Sequence, residues 1–91
     1  MNPGDAVKFR YLHGSVGRIE SANHYGGFYV RWNFGRDVKG ESIKSLSSVR
    51  ADELVEIPQE LYDQYVRHRA WSDAQKEVGD AINLWIVEHH A

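Results

Sequence analysis

The sequence predicts a mainly-β domain, five short strands closing into a small barrel, followed by two C-terminal helices. Three observations predict it. Apolar and polar residues alternate in short runs through the first 57 residues. Glycine-bearing turns separate those runs at the spacing of a small closed barrel rather than an open sheet. Beyond Pro58 the apolar period lengthens to that of a helix. The expected partition is a barrel over residues 1–57 and a helical extension over 58–91, packed on the barrel or on a partner.

Residues 6–11 alternate strictly. Val7, Phe9 and Tyr11 face one way and Lys8 and Arg10 the other, the pattern of a half-buried strand. His13, Gly14 and Ser15 form the next turn. Residues 16–21 continue with Ile19 inward between Arg18 and Glu20, and Gly17 marks a bulge or a close backbone approach. The loop 23–27 ends in Gly26-Gly27. It leads to the strongest strand, 28–33, where Phe28, Val30 and Trp32 alternate with Tyr29, Arg31 and Asn33. A charged loop follows over 35–41. Residues 42–49 form a weaker, serine-rich strand through Ile43 and Leu46. Residues 50–53 fit one helical turn, and 54–57 close as a short last strand.

Pro58 ends the sheet because it cannot donate to a ladder, and it suits a first helical position. Leu61, Tyr62, Tyr65 and Val66 make one apolar stripe; Ala74, Val78, Ala81, Ile82, Trp85 and Ile86 make another. At about 100° per residue from Leu61, the first stripe spans roughly 0–140° and the second roughly 200–340°. One unbroken helix would aim them in opposite directions. Ser72-Asp73-Ala74-Gln75 reads as a capping box, with Trp71 before it as an apolar staple. Two helices are therefore expected, one continuous helix being the alternative.

Ninety-one residues make one domain near the lower limit for unaided folding. The apolar share of 42% suffices for a modest core, and the charged share of 26% argues against disorder. Cysteine is absent, which removes disulfides, thiolate zinc sites and cysteine nucleophiles together. Residues 1–14 lack the apolar core of a secretory signal, and no run approaches the ~20 apolar residues of a membrane span. A cytoplasmic location and no membrane partner are expected. Charge is uneven: residues 1–50 hold eight bases against four acids, net +4, and residues 51–91 three against nine, net −6. A basic front beside an acidic tail suits an anionic partner at the front, or front-to-tail self-association.

Gly4-Asp5-Ala6-Val7-Lys8-Phe9 followed by Gly14-Ser15-Val16-Gly17-Arg18-Ile19 resembles the opening of KOW-type and related SH3-like barrels. Gly27-Phe28-Tyr29-Val30-Arg31-Trp32 is similar to their long third strand. Arg50-Ala51-Asp52-Glu53-Leu54-Val55-Glu56-Ile57 is similar to their closing turn and last strand. The resemblance covers residues 4–57 and specifies fold rather than function. It implies a five-stranded SH3-like barrel of KOW or Tudor type, an architecture also found in the photosystem I accessory subunit and the ferredoxin–thioredoxin reductase variable chain. KOW relatives imply RNA, ribosome or polymerase contacts, Tudor relatives imply methylated side chains in an aromatic cage, and the photosynthetic relatives imply docking to an electron-transfer partner. Plasmid-borne dihydrofolate reductases imply an NADPH-dependent enzyme, but their Val-Gln-Ile-Tyr motif is missing where this chain reads Ser45-Leu46-Ser47-Ser48-Val49.

Two candidate surfaces follow. In the first, Tyr25, Tyr29 and Phe34 flank Arg31, Arg36 and Lys39 on one strand and its adjoining loops. Aromatics beside cations hold single-stranded nucleic acid in small barrels, and an aromatic cage holds a cation. The plainer reading places Phe28, Trp32 and Phe34 in the core and Tyr29 and Arg31 on a solvated outer face. The second surface is the tail. A barrel of ~55 residues fills its own interior, so the stripe Val78, Ile82, Trp85, Ile86 must cover the barrel exterior, the first helix or another chain. Trp71 and Trp85 are anchors of interface type.

No metal or cofactor is expected. His13 and His24 read as surface histidines, and His89 and His90 diverge by about 100° on a helix. No nucleophile elbow, phosphate loop or carboxylate pair is present to support an enzyme. The expected function is a small non-catalytic protein–protein binding module, of adaptor or inhibitor-like kind, whose partner is a protein or a second copy forming a homodimer. RNA or DNA binding by the basic aromatic face is the alternative, and a reductase comes last.

Overall fold

The computed structural model describes residues 1–11 and 15–90; the turn expected at His13 and Gly14 lies outside the described residues. Strands β1 (Ala6–Phe9), β2 (Val16–Ala22), β3 (Gly27–Arg36), β4 (Ser42–Arg50) and β5 (Leu54–Glu56) form one antiparallel sheet in the order β4-β3-β2-β1-β5. A 3-10 turn, Ala51–Glu53, joins β4 to β5. Helices α1 (Gln59–Arg67) and α2 (Asp73–His90) follow. The expected outline of five strands, a helical turn before the last and two C-terminal helices is present.

Alternation along the strands divides the core in two. Val7, Ile19, Val30, Trp32, Val49 and Leu54 gather on one face, flanked by Phe9, Phe28 and Phe34. Ala6 and Val16, on the opposite face, join Ile57, Tyr62, Tyr65 and Ile82 beneath the helices. Gly17 is a point of close approach, as its position in β2 suggested. A Cβ there would lie 2.7 Å from the Arg31 carbonyl oxygen and 2.9 Å from the Val30 side chain. The bulge lies further along, between Ile19 and Ser21. Arg18 fastens β2 to α1, its guanidinium 4.7 Å above the Tyr62 ring and 3.8 Å from Asp63.

Lys8 departs from the sequence pattern. It shares a face with Ala6, and that face is covered by the helical layer rather than by water. Lys8 is only 4% exposed. Its Nζ donates to the Phe9 carbonyl at 3.1 Å, and burial lowers the pKa of the ammonium.

The helical break expected near Trp71–Asp73 is present, and it is wider than that, since α1 already ends at Arg67 and α2 begins at Asp73. Ser72 Oγ accepts the Gln75 backbone N–H at 3.2 Å, and the Ser72 carbonyl accepts from Lys76 at 3.0 Å. Two details differ. The Gln75 side chain turns away from the Ser72 backbone, so only half of the capping box forms. Trp71 is 80% exposed and makes no staple, because the residue it would pack against, one turn into α2, is Lys76. The inward face of α2 is also rotated from the predicted stripe: Gln75, Gly79 and Ile82 are buried, while Ala74 and Ala81 are exposed. Val78, Trp85 and Ile86 pack against the helical cluster as expected for a stripe that covers the sheet and α1. Among the described residues, no helix is long and apolar enough to cross a membrane.

Candidate functional site

The segment between the helices is built onto the end of β3. His68 leaves α1 in an extended conformation, and its carbonyl accepts the Arg36 N–H at 3.1 Å. The Ala70 N–H returns to the Arg36 carbonyl at 2.8 Å. Gly35, at φ +103°, makes this contact feasible. A Cβ there would strike the Gln75 amide and sit 2.7 Å from the His68 oxygen.

Gln75 is 2% exposed and holds three segments together. Its Nε2 donates to the Phe34 carbonyl at 2.6 Å, and its Oε1 accepts the Trp71 N–H at 2.8 Å. The turn closes with the Ser72 N–H donating to the Arg69 carbonyl at 3.2 Å. Trp71 is the third residue of that turn and has φ +59°. Type II turns ordinarily place glycine there, and a bulky side chain in this region is strained. The local hydrogen bonds hold the tryptophan in place while its ring stays in solvent.

Beside that ring lies an open groove of about 450 Å³, within the usual range for ligand sites. Phe34, Tyr65 and Trp71 give it aromatic walls, and Asp73, Lys76 and Asp80 line the α2 side. Tyr65 is buried, and desolvation raises the pKa of its phenol.

The predicted site residues do not form one surface. Tyr25 stands at the β2–β3 hairpin tip, 86% exposed. The tip is fixed by the Asn23 side-chain oxygen, which accepts the N–H groups of Tyr25 and Gly27 at 2.9 Å each. Tyr29 and Arg31 lie on the outward face of β3, opposite Ser48 and Leu46 of β4. Arg31 is tied to Glu20 by a charged hydrogen bond, which raises the arginine pKa and lowers that of the glutamate. Arg36 and Lys39 sit at the other end of β3, where the Arg36 guanidinium donates to the Gly40 carbonyl at 2.9 Å. The ten residues of β3 separate the two ends by roughly 30 Å.

Phe34 and Trp71, expected on different surfaces, are brought together in the groove. Trp85 is half-buried against the helical cluster, and its ring stacks on His89 with centroids 4.4 Å apart. The sequence marks Tyr65 only as part of an apolar stripe and Gln75 only as the last residue of a capping box, and it gives Asp80 no role. One signal was available for Gln75: it shares a helical face with Gly79, Ile82 and Ile86, so a polar side chain there had to meet a buried partner.

No family model matches the chain, and no curated protein or solved structure is significantly similar to it.

Proposed function

We propose that this chain is a small, non-catalytic protein-binding module of SH3-like architecture, and that it binds through the groove beside Trp71. The strand order, the 3-10 turn before β5 and the cluster around Val30 and Trp32 support the barrel. One observation carries the functional reading: a tryptophan held 80% exposed in a strained turn beside a groove with aromatic walls. Strained backbone and exposed large aromatics both concentrate at binding surfaces. Among the described residues, the Trp71 ring takes part in no aromatic pair or cation–π contact. The nucleic-acid alternative loses support because Arg31 is paired with Glu20, and Lys39 lies off the strand in the turn beyond Arg36.

Selection of a displayed random-peptide library against the folded domain tests this. Selected peptides should perturb backbone amides of residues 71–83 in 1H–15N spectra. They should lose about thirty-fold or more in affinity with Trp71→Ala. Perturbations confined to the Tyr29–Leu46 face, with affinity unaffected by Trp71→Ala, would overturn the proposal.

A further inference from the structure

The charges along the groove point to the chemistry of the occupant; this inference rests on the binding-groove reading above. Asp73 and Asp80 lie seven residues apart on one face of α2, with Lys76 between them. Among the described residues, none of the three is in an ion pair. Lys76 precedes Asp80 by one turn, the weaker order for such a pair. Asp73 occupies the first turn of α2, where its charge offsets the positive end of the helix. Asp80 is far enough along to be free of that role. It stands about 10 Å from Asp73 along the axis, beside Gly79 on the groove lining. The charged residues that line the groove are two acids and one base, net −1.

We propose that the groove takes a short extended peptide bearing an apolar side chain and, within a few residues of it, an arginine. The apolar side chain packs against Phe34 and Tyr65 beneath Trp71, and the guanidinium reaches Asp80. The Tyr65 ring lies 3.6 Å from where a Cβ on Gly79 would stand, so the apolar wall and the Asp80 carboxylate are neighbours along α2 and one short peptide reaches both. Arginine fits better than lysine, since its planar guanidinium pairs with a carboxylate through two parallel hydrogen bonds and tolerates partial desolvation. Lys76 opposes the ligand charge and moderates the affinity. The groove lies mainly in residues 65–83, outside the segment that resembles SH3-like barrels.

Three acetylated, amidated heptapeptides test this by titration calorimetry and 1H–15N shift mapping. Each carries one leucine and, three residues later, arginine, glutamine or glutamate, with serine and glycine elsewhere. The arginine peptide should bind most tightly and the glutamate peptide most weakly, about ten-fold or more apart. Asp80→Asn should cost the arginine peptide about five- to ten-fold and leave the glutamine peptide unchanged. Lys76→Ala should strengthen arginine-peptide binding, a gain that loss of folding cannot mimic. Trp71→Ala should weaken all three.

The failures are distinguishable. Equal binding of the three peptides, still dependent on Trp71, would overturn the arginine assignment and leave the groove standing. Arginine-peptide binding unaffected by Trp71→Ala would overturn both readings. No binding of the arginine peptide at millimolar concentration, or a preference for glutamate, would also overturn the assignment.

Discussion

At the scale of single residues, two side chains sit where their chemistry resists them. Trp71 occupies positive-φ backbone that glycine adopts freely. A non-glycine residue there costs about 1–3 kcal/mol, while glycine adds roughly 0.5–1 kcal/mol of unfolded-state entropy. Trp71→Gly should therefore leave stability unchanged or raise it by about 1 kcal/mol in urea titrations while removing the groove rim. Destabilisation beyond 1 kcal/mol would make Trp71 a structural residue. Lys8 shows the second conflict. Burial lowers its pKa from the ordinary lysine value of 10.5, so the unfolded chain holds a proton that the folded chain releases earlier. Stability associated with Lys8 should rise with pH between its folded pKa and 10.5. Tyr65 acts in the opposite sense. Burial raises its pKa above 10.0, so its contribution is lost as pH climbs from there through the folded value. The net gain from Lys8 is thus confined to the range below about 10. The Lys8 Cε resonance in a 13C titration should turn at lower pH than 10.5; a midpoint at or above that value would contradict the desolvation account.

At the scale of elements, the joint between β3 and the helices depends on one amide. Gln75 is both donor and acceptor, to the Phe34 carbonyl and from the Trp71 N–H. Gln75→Leu preserves volume but leaves both backbone groups unmet, and should cost about 2–3 kcal/mol in chemical denaturation. Gln75→Glu should do no better, since it sets an acceptor against the Phe34 carbonyl. A fully stable Glu variant would show that the donor function is dispensable. This joint also marks how far the sequence could be read. Strand positions, the turn before β5 and the break between helices follow from local alternation, from Pro58 and from the clash of two apolar stripes, all properties of neighbouring residues. The burial of Lys8, the rotation of α2 and the meeting of Phe34 with Trp71 arise from elements packing together across long stretches of chain. Local pattern carries no record of them. The aromatic–basic residues are spread along β3 and its two loops for the same reason: residues close in sequence on a ten-residue strand are spaced out along its length.

At the scale of the whole molecule, the sheet and the tail share a core. Ala6, Val16 and Ile57 from the sheet segment share one buried cluster with Tyr62, Tyr65 and Ile82 of the helices. Each large apolar side chain so buried contributes about 1.5–3 kcal/mol. Removing the three from the helices therefore forfeits on the order of 5–9 kcal/mol, before Leu61, Val66, Val78, Trp85 and Ile86 at the margin are considered. Domains of this size are stable by about 5–15 kcal/mol in total. The truncation would also uncover Lys8 beside a freshly exposed apolar face and free the end of β3 from the His68 and Ala70 backbone. A chain ending at residue 57 should therefore fail to fold into a stable sheet, although it contains all five strands. The expected result is a 1H–15N spectrum with collapsed amide dispersion and no cooperative transition on heating. The full chain should give dispersed signals and one transition. A dispersed spectrum from the 57-residue fragment would make the strands an autonomous unit and the helices an appendage, and the groove between Phe34, Tyr65 and Trp71 would then be a joint between separable parts rather than a fixed feature of one core.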